Sequence, residues 1–302
     1  MTLHIIIVAN PFQARVAEAY CRSKSINKDL IVLVSLRPVQ WVFGQKYLYK
    51  HLDGRLSRYL WRVLGISINA VLLNMRLRLS KRNFILIAPW HNEYVETLSA
   101  KSTCLGIYYC EEGDLSYWSN NVMFNGLDNN KEYILERRIG PAKRWLFDQN
   151  CEGFICTSED CFPSAKQYLK EIVTLSSSNY CNTTKEGDVI AVLPSAARIT
   201  KIHMIDLLRE YKKYTPYKEL DYVKMHPSFN VYPKLESELR KALKLPEFSR
   251  TKIMIKNVDL ELEILANPLT FIGLDSSVER FALKNGSNYL KVSSLLMLQS
   301  DR

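Results

Sequence analysis

Two adjacent carboxylates and a glycine, Glu111, Glu112 and Gly113, follow directly on the apolar run LGIYYC. Neighbouring like charges raise one another's pKa and partial burial raises it further, which suits a general base. Gly113 permits the sharp turn that brings backbone close to a ligand. Further along, VKMHPSF puts His226 at a strand end with Pro227 holding the loop extended. A histidine there can hand a hydrogen bond or a proton to a leaving phosphate near neutral pH. FIGLDSSVERFAL carries Gly273, then Ser276 and Ser277 at the start of a helical run. Such serines cap a helix, or present hydroxyls and free N–H groups to a phosphate. Glu261 and Glu263 precede them, and a carboxylate there can accept both hydroxyls of a ribose. Taken singly, each has a plainer reading as an acidic turn, a core or surface histidine, a helix cap or an exposed acidic edge.

The elements that must position these groups are legible as short apolar runs. LHIIIV (3–8), LIVLVSL (30–36), FILIA (84–88), LGIYYC (105–110) and GFICT (153–157) come first. DVIAVL (188–193), DYVKM (221–225), KIMIK (252–256) and TFIGL (270–274) follow. Most are continuously apolar, as parallel strands covered on both faces are. Helical patterns lie between them: ARVAEAYC, SINAVLLNMRLRL, IHMIDLLREYKK and LESELRKALK. The alternation predicts an α/β protein. The polar stretch TLSSSNYCNTTKEGD reads as a linker and divides the chain into a domain over 1–175 and another over 186–302. Two such halves predict two Rossmann-like domains with parallel sheets facing a central cleft.

In parallel α/β sheets ligands bind beyond the carboxyl ends of the strands. The polar residues gather there. Asn10 follows the first strand, Trp90 and His91 follow FILIA, and Pro194 and Ser195 follow DVIAVL.

The E-E-G of 111–113, the H-P of 226–227 and the S-S of 276–277 resemble, in order and placement, motifs of bacterial sialyltransferases and related polysialyltransferases. The opening VANPFQ, with Gln13 at its end, is similar to their first strand and its Pro-x-Gln loop. The resemblance spans residues 5 to about 284 and implies a GT-B fold with inverting transfer from a CMP-activated sugar. It makes Glu112 the base on the acceptor hydroxyl, with Glu111 beside it, and gives His226 the departing phosphate. It assigns Ser276 and Ser277 to that phosphate and Glu263 to the ribose, with Pro227, Ser195 and Gly273 on the donor side. Asn10, Gln13, Gly113, Trp90 and His91 become acceptor-side candidates. The implied donor is CMP-sialic acid, or another CMP-nonulosonate or CMP-Kdo, and the implied acceptor a lipid-linked surface glycan. A DxD motif is missing from the sequence, and neither a metal nor another cofactor is expected.

Composition bounds the rest. The 302 residues are 47% hydrophobic and 24% charged, with a net charge of +10 that favours an anionic partner. The seven cysteines form no CxxC pair, which predicts a reducing, cytoplasmic setting. The strand-like GFICT run is expected to bury one of them as a small hydrophobe. The apolar start is too short for a signal peptide, and no run approaches the ~20 apolar residues of a membrane span. Between 37 and 83, Arg55, Arg58, Arg62, Arg76, Arg78, Lys81 and Arg82 mix with Tyr59, Trp61 and leucines. That mixture predicts a peripheral contact with the anionic inner face of a bacterial membrane, or else a solvated helix face. No RNA-recognition motif accompanies the basic residues, so no nucleic-acid partner is expected, although a non-catalytic basic protein binding membrane or nucleic acid is the rival class.

Overall fold

The computed structural model describes residues 1–35, 43–48, 68–89, 93–99, 101–117, 151–163, 169–176, 182–195, 203–215, 218–226, 232–254, 260–274 and 276–292, with single positions at 39, 41, 165, 199, 229 and 258. The chain divides into two compact units, Met1–Leu175 and Ser176–Arg302.

The first unit holds seven strands: β1 (Leu3–Val8), β2 (Ile31–Ser35), β3 (Gln45–Leu48), β4 (Phe84–Ala88), β5 (Cys104–Cys110), β6 (Cys151–Cys156) and β7 (Lys170–Ile172). They form one sheet in the order β3-β2-β1-β4-β5-β6-β7, every pairing parallel. The chain runs from β1 outward through β2 and β3, then crosses to β4 on the other side of β1. A topological switch point therefore lies between the carboxyl ends of β1 and β4, where α/β sheets bind ligands.

Helix α1 (Pro11–Ser23) starts at that point. Asn10 caps it, Pro11 occupies the first turn, and Gln13 completes a capping box by bonding back to the Asn10 N–H. Two further helices, α2 (Ile68–Leu77) and α3 (Glu93–Ser99), belong to this unit. The core is the inner face of β1, β4, β5 and β6 against α2 and α3, with Leu73, Val95, Leu98, Tyr109 and Phe154 all buried. Cys156 lies in that core as expected, and so do Cys104 and Cys161.

The second unit holds β8 (Val189–Val192), β9 (Tyr222–Lys224), β10 (Lys252–Ile253), β11 (Thr270–Gly273) and β12 (Asn288–Lys291). Its sheet has the order β10-β9-β8-β11-β12, again wholly parallel. Here the switch point falls between β8 and β11. The helices are α4 (Met204–Lys213), α5 (Pro233–Ala242), α6 (Leu260–Ala266) and α7 (Ser277–Lys284). Leu207, Leu208, Tyr211, Leu239 and Phe248 pack on one face of the sheet, and Leu260, Ile264, Phe271 and Ala282 on the other.

The stretch expected to be a linker is partly built into the second unit. Glu263 on α6 is fully buried, and its carboxylate accepts from the N–H groups of Thr183 and Thr184 at 2.8 and 2.9 Å and from the Thr184 hydroxyl. Tyr222 donates to the Thr183 carbonyl and Asn267 to that of Thr184. Thr183 and Thr184 in that stretch serve hydrogen bonding rather than chain freedom.

Candidate active site

Parallel register places the first unit's polar residues at one end of its sheet. Ile6, Ile87, Tyr108 and Gly153 stand side by side on β1, β4, β5 and β6. Asn10, Glu111, Glu112 and Thr157 all follow that row within three or four residues.

The two glutamates, equivalent on paper, have different surroundings. Glu111 is 1% exposed, and both its oxygens are engaged. One accepts from the Tyr117 hydroxyl at 2.7 Å. The other accepts from the Thr157 N–H at 2.6 Å and the Thr157 hydroxyl at 2.8 Å. Its own N–H donates to the Ile155 carbonyl on β6. Glu111 is thus a brace between the end of β5 and the loop after β6.

Glu112 points its carboxyl at no hydrogen-bond partner among the described residues, while its backbone is held at both ends. The N–H donates to the Ser116 hydroxyl at 3.0 Å, and the carbonyl accepts from the Asn10 side chain at 3.3 Å. Burial pushes the carboxyl up to about 8. The expected mutual repulsion with Glu111 is not the cause; removal from water is. A carboxyl with this pKa, free of internal bonds, is poised to exchange a proton near neutral pH.

Gly113 makes the turn that fixes Glu112, with φ at +119°. Its carbonyl accepts from the Ser116 N–H, closing a short 3-10 turn over Asp114–Tyr117. A side chain at this φ is strained by about 1–3 kcal/mol. Gly113→Ala is expected to lower the melting temperature and to reduce activity beyond that loss, because relaxation of the turn moves Glu112; unchanged melting and activity would show the turn to be tolerant.

Gln13 is fully buried. Its side-chain carbonyl accepts from the Ala9 and Asn10 N–H groups at 2.5 and 3.2 Å, which fixes the amide's orientation. The amino end, Nε2, is buried and has no hydrogen-bond partner among the described residues. Asn10 is spent on the cap and on Glu112. Asn10 therefore supports the Glu112 backbone directly, and Gln13 holds the Asn10 backbone in place. Trp90 and His91 lie outside the described residues.

In the second unit, Val192, Lys224 and Gly273 stand level on β8, β9 and β11. Ser195, His226 and Ser276 follow them by two or three residues, so the donor-side candidates share one sheet end, two of them flanking the switch point. His226 is exposed, and its carbonyl accepts from the Phe229 N–H at 3.0 Å. Ser276 is the N-cap of α7, its hydroxyl accepting from the Val278 N–H at 3.3 Å. Ser277 is the first residue of α7, and its side chain, like Pro227, lies outside the described positions.

Two donor-side candidates have other tasks in the structure. Gly273 leaves room for the Tyr289 hydroxyl, which would sit 2.6 Å from an added Cβ and which donates to the Leu274 carbonyl. Glu263 was expected to meet a ribose, but both its oxygens are engaged by Thr183 and Thr184. A buried carboxylate must be hydrogen-bonded, and here the backbone of its own unit supplies the donors. Thr157, Tyr117 and Tyr289, which complete these arrangements, escaped the sequence reading. Thr157 was detectable, since it ends the GFICT run at a strand terminus; six residues of separation concealed Tyr117. Among the described residues no group of three or more His, Cys, Asp or Glu is placed to hold a metal.

No protein-family model and no curated protein matches this sequence. Solved structures match it over nearly its whole length. The MnaA–UDP co-structure of S. aureus is 12% identical with a TM-score of 0.55, covering 96% of this chain and 79% of that one. UDP-GlcNAc 2-epimerase of Methanocaldococcus jannaschii, in complex with UDP-GlcNAc and UDP, is 12% identical with a TM-score of 0.54, covering 100% and 93%. The GT-B domain of a sialyltransferase from Photobacterium damselae is 13% identical with a TM-score of 0.53, covering 96% and 90%. At these identities the likeness establishes the fold: a GT-B-like architecture of two parallel-sheet, helix-flanked domains. Epimerase and transferase share it, so the fold does not select the reaction.

Proposed function

We propose that this chain is a nucleotide-sugar glycosyltransferase, and more finely that it transfers a nonulosonic acid from its CMP donor to a glycan hydroxyl with inversion. The observation that carries the reading is Glu112, a carboxyl raised to about 8 by burial, free of side-chain partners among the described residues and held by its backbone at the carboxyl end of β5. The E-E-G, H-P and S-S order adds the sialyltransferase-like chemistry, and the fold is shared with a sialyltransferase domain.

In this mechanism the ionised Glu112 takes the proton of the acceptor hydroxyl. The acceptor oxygen bonds to the anomeric carbon from the face opposite the phosphate. The bond from that carbon to the phosphate oxygen breaks, and CMP leaves with the electron pair. His226 donates to the departing phosphate, and the Ser276 and Ser277 end of α7 offers it hydroxyl and N–H donors. A CMP donor has one phosphate to neutralise, which these groups can serve without a metal.

Incubation with CMP-sialic acid, CMP-Kdo and UDP-GlcNAc, each with a panel of galactosides, followed by mass spectrometry, tests the assignment. The expected result is a product heavier by one sialic acid residue, formed equally in excess EDTA. Loss of activity in EDTA with recovery on magnesium or manganese would exclude the metal-free route. Epimerised UDP-GlcNAc without sialyl transfer would replace the reading with epimerisation.

A further inference from the structure

Helix α2 carries apolar residues on two opposite sides, with Asn69, Asn74 and Arg76 between them, yet only one of those sides is buried. Ala70, Leu73 and Leu77 enter the core of the first unit. On the opposite side Val71, Leu72 and Met75 are 36%, 46% and 68% exposed. Met75 follows Leu72 by three residues and Val71 by four, which sets the three on one outward face. Isolated exposed hydrophobics need no explanation, but a clustered set on one helix marks an interaction surface.

The rim of this patch is cationic. Arg78, Lys81 and Arg82 are exposed in the turn that follows the helix. From residue 54 through residue 92 the sequence contains no Asp or Glu. Arg78 also adopts φ +52°, ψ +42°, the left-handed conformation in which a helix usually ends on glycine or asparagine. Its backbone is strained at a position where glycine, lacking a Cβ, would relieve the strain, an observation that points to use of the side chain.

We propose that the outer face of α2 with its cationic turn docks on the surface of an anionic phospholipid bilayer. Val71, Leu72 and Met75 enter the headgroup boundary, and Arg78, Lys81 and Arg82 lie against lipid phosphates. A ten-residue helix is too short to span a bilayer, and among the described residues no helix is long and apolar enough to cross one. A second copy of the chain is disfavoured as the occupant, because its own cationic rim would face the first. Nucleic acid supplies the anions but no apolar phase for three adjoining hydrophobic side chains. The surface stands independently of the reaction proposed above.

Co-sedimentation of the full chain with vesicles decides the matter, using phosphatidylglycerol mixed with phosphatidylcholine against phosphatidylcholine alone. Binding is expected to the anionic vesicles only and to fall as salt rises. Each basic residue near an anionic leaflet multiplies partitioning by about fivefold. The triple variant Arg78→Glu, Lys81→Glu, Arg82→Glu should therefore lose at least about a hundredfold. Leu72→Ser with Met75→Ser should weaken binding at every salt concentration.

Arg78→Gly separates docking from folding. It should raise the melting temperature by relieving the left-handed arginine, yet bind anionic vesicles about fivefold less. Equal binding to neutral vesicles, or unchanged binding in either multiple variant, overturns the proposal. So does a wild-type chain that ignores both vesicle types while binding RNA or self-associating through this face.

Discussion

Glu112→Gln is expected to reduce transfer by about 10²–10⁴-fold, the usual loss when a general base is removed. Affinity for CMP should stay within about threefold, because the carboxyl acts on the acceptor and not on the nucleotide. The pH dependence supplies a sharper signature. The base works only when ionised, so kcat/KM for the unaltered protein should rise with pH and level off above about 8. In the glutamine variant that ascending limb should vanish.

Stability should respond in the opposite sense. The folded-state pKa of Glu112 is raised from 4.5 to about 8, so the native state holds a proton that the unfolded state releases between those values. Stability is thus lost as pH climbs through this window, with an upper bound of about 5 kcal/mol. Glu112→Gln should melt higher than the unaltered protein at pH 8 and match it at pH 4. A mild activity loss with no change in the pH profile would put the base elsewhere.

The second large effect concerns its neighbour. Glu111→Ala removes the acceptor for the Tyr117 hydroxyl and for the Thr157 N–H and hydroxyl. Donors left unpaired inside a protein lose their desolvation compensation, and bonds to a charged group contribute about 1.5–3 kcal/mol each without adding fully. A loss of about 3–4 kcal/mol is expected, read as a lower denaturation midpoint for the first unit. Glu111→Gln should recover most of it. Its carbonyl can accept both Thr157 groups while its amino group donates to the Tyr117 oxygen. The pair of glutamine substitutions therefore distinguishes brace from base. At position 111 glutamine should preserve both fold and transfer; at position 112 it should preserve the fold alone. Loss of transfer in a well-folded Glu111→Gln variant would exchange the two roles.

How far the sequence disclosed this depends on where each element lies in its sheet. The interior strands β1, β2, β4, β5, β6, β8, β9 and β11 were legible because both faces are covered and the residues read as apolar runs. β3, β7 and β12, with sequences QKYL, KEI and NYLK, were not, and all three are edge strands, whereas the fourth edge, β10, was legible within the apolar run KIMIK. An edge carries polar residues where solvent meets it, which erases the apolar signal. Helix α6 was also missed, since LELEILA is short and its acids drew attention as ligand groups rather than as helix formers.

At the candidate site the placement of E-E-G, H-P and S-S at strand ends was readable from the run boundaries. The division of labour within E-E-G was not. It depends on Tyr117 and Thr157, and the latter approaches from a strand more than forty residues away. Glu263 and Gly273 show the same limit. Their engagement by Thr183, Thr184 and Tyr289 is a matter of tertiary contact that no local pattern encodes.

The Glu263 clamp also sets where the chain can be cut. A recombinant fragment started at residue 186, where the polar stretch suggests a boundary, would omit Thr183 and Thr184 and leave a buried carboxylate facing nothing. It would also strip the acceptors from the Tyr222 hydroxyl and the Asn267 amide. Any truncation meant to isolate the second unit has to retain the two threonines, and a protease site engineered to separate the halves belongs upstream of Asn182.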